Sequence, residues 1–410
     1  MTKKLRLLVL CPHFEPDMAP TGVVMTRIVH ELAARGHELH VVTSLPWYRK
    51  HQVEAGWAGA LWRVEKTQWG SISRVQPFAG RTKSNLIRRA LGFILFSYFV
   101  GLRALFAGRF WRRVDGILAM SPPLTLGLIG WHTKLFRGGK LVFNIQDVFP
   151  DAAIATGAIS NKKIISAASW LERVSYQRSD SVVLLSDDLA NNVQSKLDQK
   201  FHKCIKVIPN FVDTEAIVPM SRSTNYRREL GIDDALVVMY AGNVGVSQSL
   251  ELMLEAARAL PEVVFVINGE GAARKSLEAK ASGLNNVKFG DYQDVSRLSE
   301  VLATGDLHVV PLRRGLGSVS VPSKTYSILA AGRPIIAAID LDTEVPRILA
   351  AANAGVCVEP DNQHAFVSSI SVMLRDRKTL EEMGASGRNW VQGHASPQSV
   401  AQRYEALYSR

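Results

Sequence analysis

Leu236-Val-Val-Met-Tyr-Ala-Gly-Asn-Val-Gly-Val-Ser-Gln-Ser-Leu250 reads as a buried strand, a glycine-containing turn and the approach to a helix. The run 236–240 has no polar residue, as expected of a strand covered on both faces of a parallel sheet. The pattern then repeats on the C-terminal side. Apolar runs fall at 263–267, 307–310, 335–338 and 356–358, with helical patterns at 250–260, 274–281, 295–303 and 323–331 between them. Alternation of this kind indicates α/β units around a parallel sheet.

The N-terminal half follows the same grammar. Strands are expected at 5–10, 39–43, 114–120, 141–145, 182–185 and 205–208. Between the first two, Val24, Ile28 and Leu32 recur every four residues and Gly36 supplies a helix stop. Prolines 209 and 219 and the polar run 221–225 interrupt the periodicity, and helical patterns at 380–392 and 398–408 close the chain. The expected organisation is a doubly wound domain over 1–210, a linker over 211–225, a second doubly wound domain over 226–392 and a terminal segment over 393–410. In such folds ligands bind beyond the carboxyl ends of the strands, so the loops there carry the function.

Three of those loops suit an anion. Gly242, Asn243 and Gln248 lie on the first, and Gly269, Glu270 and Gly271 on the second, Ile267-Asn-Gly-Glu-Gly-Ala-Ala-Arg274. Glycine lets a backbone approach a phosphate closely, and a helix start offers free N–H groups; glycine after a strand also makes a plain turn. The third loop, Pro311 to Tyr326, enters its helix through Pro322, Ser323 and Lys324. Pro and Ser are ordinary helix-start residues, but a cation in the first turn opposes the dipole. Lys324, with Arg313 and Arg314 on the same loop, therefore points to an anion site; the alternative is a solvated surface lysine. In the first half, Cys11-Pro-His-Phe-Glu-Pro-Asp-Met-Ala-Pro-Thr-Gly22 is a long irregular connection holding His13, Asp17 and Thr21, and such loops are commonly functional. Asp147 follows the strand at 141–145, where α/β proteins place catalytic groups; its alternative is a turn cap.

Composition narrows the setting. The 410 residues are 47% hydrophobic and 21% charged, which excludes a disordered or fibrous chain. Three separated cysteines show neither a disulfide framework nor a metal spacing, so a reducing compartment is expected and no metal site. The apolar run at 7–11 is shorter than a signal peptide requires. The net charge is +12, and residues 66–114 hold ten basic residues and no acidic one. Within that segment Leu91-Gly-Phe-Ile-Leu-Phe-Ser-Tyr-Phe-Val-Gly-Leu102 is nearly all apolar. It is too short to span a bilayer, but a helix of this kind can lie against an anionic leaflet. The alternative is a helix buried under the first domain.

Taken in order, these motifs resemble the retaining GT-B glycosyltransferases of family 4. Nearest is the branch of colanic-acid and O-antigen N-acetylfucosaminyl transferases. The resembling pieces are Leu32-Ala-Ala-Arg-Gly-His-Glu-Leu39, Ser121-Pro-Pro123, Gln146-Asp-Val-Phe-Pro150, Val207-Ile-Pro-Asn-Phe-Val-Asp213, Tyr240-Ala-Gly-Asn243, Gly269-Glu-Gly271, Val321-Pro-Ser-Lys324 and Leu329-Ala-Ala-Gly-Arg-Pro334. The resemblance implies two Rossmann-like domains facing a cleft, with the terminal helix returning to the first. It implies retaining transfer of a sugar from a nucleotide-sugar, with UDP expected, to a polyprenyl-diphosphate-linked saccharide acceptor in cell-surface polysaccharide synthesis. No cofactor or metal is implied. Asp147 and Lys324 are the catalytic candidates. Gly22, Asn210, Gly242, Asn243, Gln248, Gly269, Glu270, Gly271, Arg313, Ser323, Lys324 and Tyr326 are placed with the donor, and His13, Asp17 and Thr21 with the acceptor. The expected location is cytoplasmic, on the inner face of the plasma membrane, through the segment 66–114.

The sequence departs from the family at two places. Val319 and Ser327 stand where many members carry two glutamates, and Asn243 and Gln248 stand where many carry a basic pair. Either Lys324 replaces the lost charge in an active enzyme, or the enzyme is weakened; the presence of Asp147, Asn210 and Lys324 favours activity. Two other classes compete. A nucleotide-sugar epimerase of the same fold leaves the basic apolar segment unexplained. A basic nucleic-acid-binding protein lacks any accompanying recognition motif.

Overall fold

A computed structural model describes residues 4–48, 52–78, 86–109, 112–151, 154, 159–232, 234–316 and 321–409, the side chains of 86–90 and 246 apart. The chain divides into two units, Met1–Asn210 with Val400–Arg410, and Phe211–Ser399.

The first unit is built on an eight-stranded sheet. Its strands are β1 (Arg6–Leu10), β2 (Glu38–Ser44), β3 (Trp62–Thr67), β4 (Gly70–Val75), β5 (Gly116–Ser121), β6 (Lys140–Ile145), β7 (Ser181–Leu184) and β8 (Ile205–Val207), in the order β3-β4-β2-β1-β5-β6-β7-β8. All neighbours are parallel except β3 with β4. From β4 to β8 this is the Rossmann order continued by one strand. The central strands are buried along most of their length, which is why they read as unbroken apolar runs. Asn144 of β6 is the polar exception, and the last helix, Pro397–Tyr408, places Tyr404 against it.

The second unit repeats the plan with β9 (Val237–Ala241), β10 (Val264–Asn268), β11 (Val287–Gly290), β12 (Leu307–Pro311), β13 (Ile335–Ala338) and β14 (Gly355–Val358). Their order is β11-β10-β9-β12-β13-β14, all parallel. The strand order reverses between β9 and β12. The carboxyl ends of that pair are therefore the topological switch point, where ligands bind in such sheets.

The strands β3, β4 and β11 have no counterpart among the expected elements. The edge strand β3 alternates with the opposite sense to a core strand. Trp62 and Val64 are exposed, while Arg63 and Glu65 lie on its other side, the second paired with buried Arg74 at 2.6 Å. Arg74 is thus a buried structural cation, a correction to its place among the surface charges of 66–114. Arg81, Lys83, Phe110 and Trp111 of that segment lie outside the described residues, as do the side chains of Arg88 and Arg89.

The helix Leu86–Phe106 divides the two expectations for its segment. Phe96, Val100 and Ala104 are buried, and Ser97 Oγ lies 2.6 Å from Thr125 Oγ1 on the neighbouring helix Thr125–Arg137. The other face leaves Leu91, Ile94, Leu95, Tyr98, Leu102 and Phe106 between 41% and 62% exposed. Among the described residues no helix is long and apolar enough to cross a membrane.

Candidate active site

At the switch point of the second unit lies a cavity of about 540 Å³, lined from the ends of β9, β10, β11 and β12. Its walls include Gly242, Asn243, Gln248, Asn268, residues 292–295, Pro322, Ser323, Lys324 and Ser327. Lys324 begins the short helix Lys324–Ala330. Its Nζ lies 3.7 Å from the centre of the Tyr240 ring. Among the described residues it has no carboxylate partner and is the one cation of the lining. The one acid there, Asp294, is occupied by Ser296, accepting from its N at 2.9 Å and its Oγ at 2.6 Å. Desolvation pushes the Lys324 amine down from 10.5 to about 7, since burial disfavours its charged form.

The ring beneath it is fixed. Burial raises the Tyr240 phenol, which stays protonated and donates to the backbone carbonyl of Asn243. The turn itself depends on glycine. Gly242 has φ +141°, and a Cβ there would fall 3.1 Å from Lys324 Nζ. A Cβ at Gly269, φ +133°, would fall 1.9 Å from the Gly242 carbonyl oxygen. Two loops therefore close on each other as only glycines permit, and Gly242 N (to Asn268 O, 2.9 Å) and Val244 N (to Glu270 O, 2.8 Å) zip them together.

The structure sorts the expected donor residues. Gly242, Asn243, Gln248, Ser323 and Lys324 share the cavity, and Gln248 Oε1 is buried there without a hydrogen-bond partner among the described residues. Gly269, Glu270 and Gly271 do not line it. They brace the first loop, and the Glu270 carboxylate turns to Arg274 at 3.1 Å. Arg313 is placed elsewhere, at a smaller cavity with Ser249, Glu251 and Asp361. Tyr326 is 6% exposed and packs in a core cluster with Ile328 and Leu329. Helical geometry explains this: residues i and i+3 share a face and i+2 does not, so Lys324 brings Ser327 to the cavity and turns Tyr326 away. The helix after the first loop begins with Glu251, so its first turn already holds a carboxylate. Of the two positions where many relatives carry glutamate, Ser327 is on the wall and Val319 lies outside the described residues.

Asn268 and residues 292–295 are lining residues that the sequence reading missed. Asn268 Oδ1 accepts from the Tyr226 hydroxyl. Asn268 ends an apolar strand run, the one available signal. The others come from a connection with no motif of its own.

In the first unit, Asp147 stands at the carboxyl end of β6, exposed, and among the described residues no group hydrogen-bonds its carboxylate. Behind it, Asn210 Nδ2 donates to Gln146 Oε1 at 3.0 Å and Gln146 Nε2 to Asn144 Oδ1 at 2.7 Å. In the loop after β1, His13 Nδ1–H donates to buried Asp17 at 2.7 Å, and the imidazole stacks on Trp47 at 5.4 Å between ring centres. Asp17 also accepts from Tyr48 N at 3.2 Å. Thr21 and Gly22 lie in the first turn of the helix Pro20–Ala34. Gly22 is where that turn touches the loop, a Cβ there falling 2.8 Å from His13 Cβ.

Two Rossmann-like units, the second with a cation-bearing cavity at its switch point, define a protein of the GT-B class. Comparison with known proteins agrees along the chain. The family profile described as Glycosyltransferase Family 4 matches residues 21–216, and that of Glycosyl transferases group 1 matches residues 222–390. The chain belongs to the glycosyltransferases that join these two modules, and it is a glycosyltransferase. It is 28% identical over 386 residues to a protein of Escherichia coli K12 named WcaI and described as a colanic acid biosynthesis glycosyl transferase, covering 90% of this chain and 92% of that one. Among solved structures it resembles sucrose-phosphate synthase of Thermosynechococcus elongatus (TM-score 0.71, 15% identity, 99% and 98% of the two chains). It also resembles Anabaena HepE in complex with UDP (TM-score 0.68, 14% identity, 98% of each).

Proposed function

We propose that this enzyme transfers a sugar, with retention at the anomeric carbon, from a UDP-sugar to a lipid-linked saccharide in the assembly of a cell-surface polysaccharide. The observation that carries the reading is the Lys324 amine, desolvated over Tyr240 and, among the described residues, without a carboxylate partner, in a cavity at the switch point. A diphosphate supplies the charge that amine lacks. In the reaction the bond between the anomeric carbon and the diphosphate oxygen breaks while the acceptor hydroxyl oxygen bonds to that carbon, its proton passing to the departing diphosphate oxygen. An ammonium beside the departing oxygens stabilises the charge that develops there. Asn243 and Gln248 contribute neutral polar groups where many relatives have cations, so Lys324 carries the electrostatic task and the step needs no metal ion. Asp147, a carboxylate at a strand end with no hydrogen-bond partner among the described residues, acts on the reacting sugar or acceptor. The UDP bound by HepE and the colanic acid role in the WcaI description support the donor and the pathway class.

The setting is the inner face of the plasma membrane. The exposed stripe of Leu91, Ile94, Leu95, Tyr98, Leu102 and Phe106, followed by Arg109, Arg112 and Arg113, suits the headgroup region of an anionic leaflet. A lipid-linked acceptor resides there. Isothermal calorimetry with UDP, GDP and ADP tests the donor site: UDP binding in the micromolar range with weaker GDP and ADP is expected, and no binding of any of the three would overturn it.

A further inference from the structure

Four side chains of the first unit form one directed line. Asn210 Nδ2 donates to Gln146 Oε1 (3.0 Å), Gln146 Nε2 to Asn144 Oδ1 (2.7 Å), and Asn144 Nδ2 to Tyr404 Oη (2.6 Å). The last three residues are buried, Asn144 and Tyr404 almost completely. Each amide has a donor end and an acceptor end, so each fixes the rotation of the next. The Tyr404 oxygen takes the Asn144 NH2, which turns Asn144 Oδ1 toward Gln146. That in turn leaves Gln146 Oε1 for Asn210. Reversing Asn144 or Gln146 alone would set donor against donor, and reversing Asn210 alone would set acceptor against acceptor.

The line has functional ends. Gln146 immediately precedes Asp147, and Asn210 is the last residue before the chain leaves this unit. Tyr404 lies four residues after the chain returns at Val400. The buried polar line therefore ties both chain crossings to the loop of Asp147. Packing alone does not call for it, because apolar residues at 144, 146 and 404 would fill the same core without buried hydrogen bonds to satisfy, part-exposed Asn210 being able to reach water. A buried hydrogen-bonded network favours one arrangement of its members.

We propose that Tyr404 is a positioning residue for glycosyl transfer, its hydroxyl setting, through Asn144 and Gln146, the loop that carries Asp147 and the amide of Asn210. The proposal rests on the reading of Asp147 as a group of the reaction centre.

The test compares Tyr404→Phe, the triple variant Asn144→Leu/Gln146→Met/Tyr404→Phe and Asp147→Asn in the full-length protein. The readouts are melting temperature, amide hydrogen exchange over residues 146–149, and kcat and KM with UDP-sugars and lipid-linked acceptors. Tyr404→Phe is expected to quicken exchange and lower kcat about tenfold, with donor KM within about twofold, as small misplacements of reacting groups do. The triple variant removes the orphaned donors at 144 and 146 and leaves part-exposed Asn210 to water, so its melting temperature recovers while kcat stays low. Recovery of kcat together with melting temperature would show a packing role only and overturn the proposal. Wild-type exchange and turnover in Tyr404→Phe, beside lost turnover in Asp147→Asn, would overturn it for Tyr404 alone. Normal turnover in Asp147→Asn would overturn the reading on which it rests.

Discussion

Lys324 holds its Nζ 3.7 Å from the centre of the Tyr240 ring and has, among the described residues, no carboxylate to pair with. A structural lysine would be solvated or salt-bridged. Removing this amine should therefore weaken ligand binding while relieving the protein. Lys324→Met is expected to raise the melting temperature, because a desolvated ammonium disfavours the folded state. It should also weaken UDP binding about tenfold or more, the worth of a charge-assisted hydrogen bond. Thermal unfolding and calorimetry on the same samples check both. A lower melting temperature with unchanged affinity would mark Lys324 as structural.

The same amine predicts a pH dependence. Desolvation brings it to about 7, so it is half charged near neutral pH, and a diphosphate beside it restores its charge. Binding should take up about half a proton near pH 7. Affinity should fall as the pH rises above that value, because the proton must then be drawn from increasingly proton-poor solvent. Calorimetry in buffers of different ionisation enthalpy measures the uptake, and Lys324→Met should abolish it.

Asp147→Asn should leave UDP affinity unchanged and lower kcat on the order of 100-fold, as loss of a charge used only in the transition state does. Steady-state kinetics beside calorimetry separates the two. Near-normal turnover would return Asp147 to the status of a loop residue.

Membrane attachment should depend on the exposed face of the helix Leu86–Phe106. Leu95→Glu/Tyr98→Glu alters side chains 47% and 62% exposed, so the melting temperature should hold while co-sedimentation with anionic vesicles is lost. High salt should weaken the wild-type association in the same assay.

If Lys324 serves the departing diphosphate, a chelator such as EDTA should leave turnover unchanged. A loss reversed by added magnesium or manganese would show that an ion shares the task.

The parts of this molecule legible in its sequence are those that a single stretch of chain determines. The buried strands β9, β12 and β13 announce themselves as apolar runs, and Lys324 by opposing a helix dipole. The strand β3 was illegible because its apolar side chains, Trp62 and Val64, face outward while Arg63 and Glu65 face the other way. The far wall of the cavity, Asn268 with residues 292–295, comes from loops that only the sheet order brings together. Tyr326 and Arg313 were assigned by proximity in sequence to Lys324. A helix turns one of them into the core, and the loop carries the other to a separate cavity. Helical periodicity alone would have exchanged Tyr326 for Ser327.

The proposed role of the cavity holding Lys324 is transfer of a sugar from a nucleotide to a lipid-linked acceptor. Its most direct test incubates the enzyme with a panel of UDP-, GDP- and ADP-sugars and polyprenyl-diphosphate-linked saccharides, with mass spectrometry of the lipid fraction. A lipid product heavier by one sugar residue is expected with a UDP-sugar and is lost in Lys324→Met. Sugar transfer that persists undiminished in Lys324→Met, or no lipid product with any donor of the panel, would contradict it.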